Sequence, residues 1–302
     1  MMENILQVSQ LSKRFGKKQA LSNVEFTVGK GRIVGLIGPN GAGKTTIMKA
    51  ILGLFSYEDG QIKIDNQPVS ETSHQALAKV GALIEYPAIY PYLSGLDHLK
   101  LNATGDDVTN RIDRLVKQMK MDSYITRKAK NYSLGMKQKL GIALALINQP
   151  ELVILDEPMN GLDPQATKDL RDVIIEQAAA GTAFLISSHI LSELEKLVSE
   201  VVIIDHGEVI KQATIANLNQ DQADYIILKT SDDEQAQIIL QQAGIAVMKA
   251  PGVVFNQTAT VTLAVVLKTL IQANIDVFDV LHQGEDLEAS LLSILHNETK
   301  EG

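Results

Sequence analysis

Residues 38–46 read GPNGAGKTT, and this stretch decides the fold. It follows the short apolar run RIVGLI (32–37) and precedes TIMKAILGLF (46–55), whose apolar residues recur at helical spacing. A strand, a glycine-rich loop and a helix, with a full match to G-x-x-x-x-G-K-[ST], predict a phosphate-binding loop. Glycines let the backbone wrap around phosphate with its N–H groups inward, and the positive end of the helix dipole favours the anion.

The polar residues of this loop have separate predicted roles. We expect Lys44 to reach the β- and γ-phosphates of a nucleotide, the Thr45 hydroxyl to ligate Mg²⁺, and Thr46 to lie near the α-phosphate. The predicted cradle also includes Gly38, Asn40, Gly41 and Gly43. The alternative, a glycine turn with an exposed lysine, needs a chance match of the whole motif between a strand and a helix.

A second acidic element, LVILDEP (152–158), completes the predicted chemistry. Four apolar residues place this strand in the core, and Asp156 and Glu157 emerge at its end. We expect Asp156 to organise Mg²⁺ through its water shell and Glu157 to polarise the attacking water. Alone, an Asp-Glu pair after a strand is equally typical of a helix cap; the phosphate loop favours the catalytic interpretation.

Composition restricts the remaining functions. The 302 residues fit one large domain or two, and the content of 45% hydrophobic and 21% charged residues is that of a folded soluble protein. The net charge of −8 argues against electrostatic binding of nucleic acid over a broad surface. The absence of cysteine excludes disulfides and fits an intracellular protein. No secretory signal or membrane-length apolar run is apparent, so a membrane function would need a separate spanning protein.

The chain divides into two predicted domains, 1–215 and 216–302. In the first, buried strands alternate with helices, which predicts a mostly parallel sheet with an antiparallel β part. A helical subdomain covers about 89–149. The second repeats a β-α-β pattern, with a strand predicted at ATVTLA (259–264) and a last amphipathic helix at 286–297. The repeat favours a ferredoxin-like α+β domain over an irregular tail.

Several motifs in order make residues 3–215 resemble the ATPase subunit of an ABC transporter. They are GPNGAGKTT, IEYP, YSLGMKQ, LVILDEP, NGLDP and ISSH. The resemblance implies a P-loop NTPase core of the ABC ATPase type, ATP and Mg²⁺ as ligands, and a homodimer that encloses two ATP molecules. It also implies that His189, after the strand TAFLIS, contacts the γ-phosphate.

The segment YSLGMKQ (132–138) departs from the usual family spelling Leu-Ser-Gly-Gly-Gln. Ser133 and Gly135 are kept, while Leu134 and Met136 replace glycine and glutamine. By resemblance, Ser133 and the Gly135 amide close on ATP bound to the other subunit, and Asp163 links the two sites across the dimer. A plain N-capped helix and a turn leading into a helix are the alternatives.

Two further positions are assigned by resemblance. Phe15 occupies the place of the family's adenine-stacking aromatic; the alternative is a loop aromatic that covers the sheet edge. Glu85 stands where most members have glutamine, at the catalytic metal or the lytic water, and a glutamate there is tolerable because Mg²⁺ is close. Around it, IEYPAIYPYLSGLDHL (84–99) resembles the bacitracin and lantibiotic self-protection subgroup. Drift within a generic drug-efflux ATPase is the other interpretation.

The resemblance implies an ATPase on the cytoplasmic face of the cell membrane that powers a separate permease. Its cargo would be an antimicrobial peptide or drug, and the loop with Tyr86, Tyr90 and Tyr92 would receive a permease helix. The alternatives are an ABC-2 type drug or polysaccharide exporter, a soluble ATPase acting on ribosomes or DNA, and a regulatory module that binds ATP without hydrolysis. A single set of motifs and the acidic charge disfavour a nucleic-acid partner, and Glu157 with His189 disfavours the regulatory module.

Overall fold

The computed structural model describes residues 3–188, 194–220, 225–249, 252–258 and 260–283. The chain falls into two compact units, Met1–Ile215 and Ala216–Gly302. Each unit has its own hydrophobic core. The predicted switch residue His189 and the last helix predicted at 286–297 lie outside the described residues.

The first unit is built from a six-stranded sheet, a four-stranded sheet and a helical segment. Its strands are β1 (Asn4–Phe15), β2 (Lys18–Gly29), β3 (Ile33–Ile37), β4 (Asp59–Ile64), β5 (Gln67–Val69), β6 (Val80–Leu83), β7 (Leu152–Leu155), β8 (Ala183–Ser187), β9 (Glu200–Asp205) and β10 (Glu208–Thr214). Its helices are α1 (Lys44–Ile51), α2 (Gly95–Asn102), α3 (Val108–Gln118), α4 (Leu134–Leu146) and α5 (Pro164–Ala179). Short 3-10 turns occupy Gln75–Lys79 and Ala129–Asn131.

The larger sheet has the strand order β10-β9-β3-β8-β7-β6, and only β10 runs antiparallel to its neighbour. Every residue of β3, β7 and β8 is buried, because helices and the second sheet cover both faces. Parallel strands place their carboxyl ends on one edge, which is where ligands bind in such sheets. The glycine loop after β3 and Asp156 after β7 therefore meet at this edge.

The smaller sheet is antiparallel, with the order β2-β1-β4-β5. Leu21 and Ile62 of this sheet share one core with Ile47 of α1 and Val34 of β3. Two hairpins, β4–β5 and β9–β10, turn at Asp65-Asn66 and at His206-Gly207.

Residues 95–146 are dominated by helices. Ser94 begins α2 with a capping box, in which its hydroxyl accepts from the Asp97 N–H while the Asp97 carboxylate accepts from the Ser94 N–H. Ser133 begins α4 by accepting from the Met136 N–H. Both polar residues thus define where a helix starts.

The second unit contains β11 (Tyr225–Thr230), α7 (Asp233–Gln242), β12 (Val247–Lys249), β13 (Val253–Asn256), α8 (Leu263–Gln272) and β14 (Val277–Gln283), and α6 (Ile215–Gln220) spans the boundary between the units. The sheet order is β12-β13-β11-β14, with antiparallel neighbours, which is the split β-α-β arrangement. Gly244 and Asn274 have left-handed backbones after α7 and α8, a conformation that commonly ends helices.

The strand predicted at 259–264 is wrong. The strand lies earlier, at Val253–Asn256, and the Thr262 hydroxyl accepts from the Val265 N–H to start α8. The alternating pattern of β-branched residues suggested a strand, but the capping threonine begins a helix instead. Among the described residues, no helix has both the length and the apolar character needed to cross a membrane.

Gly81 tests how closely β6 packs against α4. A Cβ atom there would lie 1.9 Å from the carbonyl oxygen of Ala145. Because backbone cannot yield as a side chain does, we expect Gly81→Ala to lower the free energy of unfolding by about 2 kcal/mol. Chemical denaturation measures this effect. The neighbouring exposed control, Ala82→Ser, should change stability by less than about 0.5 kcal/mol; equal effects would contradict the packing argument.

Candidate nucleotide-binding site

The loop between β3 and α1 has a shape that only glycine permits. Gly41 and Gly43 have φ values of 86° and 111°, in the left-handed region. A Cβ atom on Gly38 would lie 2.0 Å from the Ile204 carbonyl oxygen of β9. The loop is held from the other side by the Gly207 N–H, which donates to the Ala42 carbonyl. The result is a fixed cradle that opens onto the N-terminus of α1.

Lys44 supplies the buried cation of this cradle. Its ammonium donates to the carbonyl oxygens of Gly38 at 2.7 Å and Pro39 at 3.1 Å. Burial lowers the pKa of Lys44, and the nearby carboxylates of Glu157 and Asp156 partly oppose that shift. The ammonium can exchange neutral carbonyl partners for phosphate oxygens, which form stronger charge-assisted bonds.

A chain of hydrogen bonds joins the loop to the ends of β7 and β8. The Thr45 hydroxyl donates to one oxygen of Asp156 at 2.9 Å, and the Ser187 hydroxyl donates to the other at 2.6 Å. The same Ser187 oxygen accepts from the Glu157 N–H at 2.9 Å. Asp156 is buried, and its carboxylate therefore has a fixed orientation toward Thr45.

Glu157 is held in an uncommon backbone conformation, with φ 49°. Strained backbone of this kind persists where surrounding contacts determine it. Besides the Ser187 contact, the buried Gln138 amide reaches the carbonyl oxygens of Glu157 at 3.4 Å and Pro158 at 3.2 Å. Helix α4, which Ser133 begins, is thus bonded directly to the backbone at Glu157.

A cavity of about 510 Å³ brings together most of the predicted nucleotide-binding residues. Those that line it are Phe15, Asn40, Gly41, Gly43, Lys44, Thr45, Thr46, Asp156 and Glu157. The Phe15 ring is half exposed, and its centroid lies 5.4 Å from that of Phe55 in an edge-to-face contact. The Lys13 ammonium lies over the ring, 5.1 Å from its centroid, and the role of Phe15 with adenine stays a prediction.

Ser133, Gly135 and Asp163 line a different cavity of about 360 Å³. Asp163 begins α5, because its side chain accepts from the Ala166 N–H at 2.8 Å. An added Cβ on Gly135 would lie 3.1 Å from the Gly161 carbonyl oxygen, so the two segments pack closely. The structure therefore groups these three residues with one another and not with the cavity that contains Lys44.

Glu85 lines a third cavity of about 470 Å³, which also contains Asp156 and Glu157. Its carboxylate contacts the Lys49 ammonium at 2.7 Å. The predicted role of Glu85 at the metal or the lytic water stays a prediction.

Four residues near these cavities were not predicted from the sequence. Ser187 and Gln138 fix Asp156 and Glu157, Lys49 pairs with Glu85, and His206 lines the cavity with Lys44. The signals for Ser187 were its place at the end of a buried strand and its presence in the motif ISSH. A lysine in α1, a glutamine in α4 and a turn histidine have ordinary structural roles, and their proximity arises from the tertiary fold.

The glycine cradle, the buried lysine and the hydroxyl–carboxylate pair at the ends of β3 and β7 define a P-loop nucleotide-binding protein. Residues 21–160 match the family model described as ABC transporter. The chain is 35% identical over 305 residues to the "Uncharacterized ABC transporter ATP-binding protein YdbJ" of Bacillus subtilis, covering 100% of this chain and 99% of that protein. The chain belongs to the family of ABC transporter ATP-binding proteins, and it is an ATPase.

Two relatives carry more specific descriptions. The lantibiotic transport ATP-binding protein SrtF of Streptococcus pyogenes is 43% identical, with 68% of this chain and 89% of that protein covered. The bacitracin transport ATP-binding protein BcrA of Bacillus licheniformis is 36% identical, with 80% of each chain covered. A solved ATP-binding subunit of an ABC transporter has 32% identity and a TM-score of 0.68, covering 72% of this chain and 92% of that one. The predicted ABC ATPase fold and the resemblance to the lantibiotic and bacitracin subgroup are confirmed.

Ser187→Ala tests whether the bond to Asp156 serves catalysis. Removing the hydroxyl frees one oxygen of Asp156 and leaves the Glu157 N–H without this acceptor. Loss of a residue that orients a metal-ligating carboxylate costs about 10- to 100-fold in activity, so we expect a loss of that size in phosphate release. The matched control is Ser199→Ala, whose hydroxyl donates to the Ile33 carbonyl at 3.3 Å. Similar rates in the two variants would contradict the assignment.

Proposed function

We propose that this protein hydrolyses Mg·ATP at the interface of two copies of the chain and thereby powers a separate membrane permease. The observation that carries the proposal is the hydrogen-bond chain from Thr45 through Asp156 and Ser187 to Glu157. It sets the residue types needed for metal binding and for water activation beside a phosphate cradle. ATP binding would hold the two copies closed, and hydrolysis would let them separate.

The cradle residues fit Mg·ATP. Gly38 approaches β9 so closely that a Cβ atom there would clash with the Ile204 carbonyl oxygen, and Lys44 supplies a cation for the β- and γ-phosphates. Thr45 and Asp156 offer hard oxygen donors, which Mg²⁺ prefers, and they already contact each other. When bound, Mg²⁺ would neutralise charge that develops on the phosphate oxygens. The Glu157 carboxylate would orient and polarise the attacking water.

The dimer completes the site in this proposal. Ser133, Gly135 and Asp163 line a cavity separate from the one with Lys44, which supports their action on nucleotide bound to a second copy. The Ser133 oxygen accepts from Met136, so its O–H can still donate to a γ-phosphate oxygen. Leu134 and Met136 change the side chains around this contact but leave the helix N-terminus and its amides in place.

The permease would meet the protein at the loop that follows Glu85. Tyr86, Tyr90 and Tyr92 are exposed by 82%, 62% and 74%, although aromatic rings usually bury much of their area. Pro87 and Pro91 restrict the backbone between them. Exposed rings on a restrained loop suit a partner helix. This contact would place the protein on the cytoplasmic face of the cell membrane.

The proposed cargo is an antimicrobial peptide, exported or expelled from the membrane. The support comes from the relatives described as lantibiotic and bacitracin transport ATP-binding proteins, together with Glu85 in IEYP. A general drug or polysaccharide exporter is the second candidate. YdbJ aligns with this chain over nearly the full length of both proteins, and its description names no cargo.

Glu157→Gln tests the hydrolytic mechanism. The amide retains the shape of the side chain but removes the acceptor charge that polarises water, so we expect turnover to fall by at least about 100-fold. ATP should remain bound, and the proportion of dimer should rise in size-exclusion chromatography with ATP. Asp172→Asn, an exposed change on α5, is the matched control and should retain wild-type turnover. Continued turnover in Glu157→Gln would refute the mechanism.

Tyr92→Ala tests the permease contact. Because the ring is exposed and lines none of the three cavities described above, basal ATP hydrolysis should stay within about twofold of wild type. Recovery of the protein in washed membranes from cells that also express the proposed permease partner should fall at least about fivefold. Phe278→Ala, an equally exposed aromatic of the second unit, is the control. Equal recovery of Tyr92→Ala and wild type would exclude this loop as the docking site.

A further inference from the structure

We propose that Lys49 is a positioning residue for Glu85, and that its positive charge is what makes a glutamate workable at that position. The inference rests on the proposed function and deepens it, because it concerns the residue that replaces the usual glutamine. Lys49 lies in the last turn of α1, the helix that starts with Lys44 and Thr45. Its ammonium lies 2.7 Å from Oε1 of Glu85.

The need for a counter-charge follows from the surroundings of Glu85. Its side chain faces the same cavity as Asp156 and Glu157, so that three carboxylates share one space. Bound nucleotide phosphates would add further negative charge beside them. Like charges in a cleft repel one another, and each opposes the binding of an anion. A lysine paired directly with Glu85 offsets the negative charge of its carboxylate, a charge that a glutamine at position 85 would not carry.

The pair lies at a backbone conformation that is otherwise disfavoured. Glu85 has φ 58°, in the left-handed region that a non-glycine residue rarely adopts. The Lys49 and Glu85 side chains are 31% and 55% exposed, so the contact is partly screened by water. An exposed pair of this kind contributes little to global stability. We therefore expect its effect to be local, in the segment 84–93 that contains the exposed tyrosines.

A simpler account is that the charge of Lys49 only stabilises the C-terminal turn of α1. A cation in the last turn interacts well with the helix dipole. That account predicts the same effect of losing Lys49 whichever residue stands at position 85. The two accounts thus differ in the coupling between the positions, which a double-mutant cycle measures directly.

The cycle uses Lys49→Met, Glu85→Gln and the double variant, in the full-length protein. The first readout is the affinity for Mg·ADP by calorimetry, which needs no turnover. With Glu85 present, Lys49→Met should weaken binding by about tenfold; in the Glu85→Gln background the loss should be under about threefold. Lys49→Arg retains the charge and should bind within about threefold of wild type. Lys120→Met, which breaks the 2.8 Å pair with Asp169 elsewhere, is the matched control and should bind like wild type.

The second readout is amide hydrogen exchange of segment 84–93 in nucleotide-free protein. Exchange should rise at least about threefold in Lys49→Met and stay unchanged in Lys120→Met. Equal losses in both backgrounds, no loss at all, or a failure of Lys49→Arg to rescue binding would each overturn the inference. Wild-type protein that does not bind Mg·ADP would refute the proposed function itself, whereas wild-type binding without coupling would refute only the role of Lys49.

Discussion

The two hydrogen bonds that the Asp156 carboxylate accepts are the constraint on which the rest of the site depends. One comes from Thr45 at the start of α1 and the other from Ser187 at the end of β8. Asp156 directly follows β7, and its N–H donates to the Leu83 carbonyl of β6. A buried carboxylate is costly unless it is bonded in this way. Through its side chain and its backbone N–H, this one residue links the glycine loop to the ends of three parallel strands.

Glutamate residues 85 and 157, which lie close to Asp156, are held in place by different contacts. Glu157 follows Asp156 directly, and its strained backbone is held by Ser187 and Gln138. Glu85 also has a left-handed backbone, but its partner is a lysine on α1. The two acids therefore contact different elements. Glu157 contacts α4 and β8, and Glu85 contacts α1, the helix that follows the phosphate loop.

Much of the fold was predictable because its signals are local. The buried strands are continuous apolar runs. The loop at 38–46 is a contiguous motif, and its glycines are needed because the backbone there adopts positive φ values. Ser187, Gln138 and Lys49 were not predictable, since their roles arise from contacts across 31, 19 and 36 positions of sequence. The strand predicted at 259–264 failed because a capping threonine and a β-branched pattern give conflicting local signals. Resemblance assigned Ser133 and Asp163 to a contact across a dimer, and this role stays a prediction because the contacts seen within one chain are helix caps.

The contact between Gly38 and the Ile204 carbonyl of β9 affects the kinetics of ligand capture. Because neighbouring strands and the turn at Gly207 hold the loop, its conformational entropy is lost when the protein folds and not when a ligand arrives. A preorganised receptor has little further ordering to perform on association. The rate at which the cradle captures its ligand should therefore be set mainly by diffusion and charge, while dissociation determines how long the ligand stays.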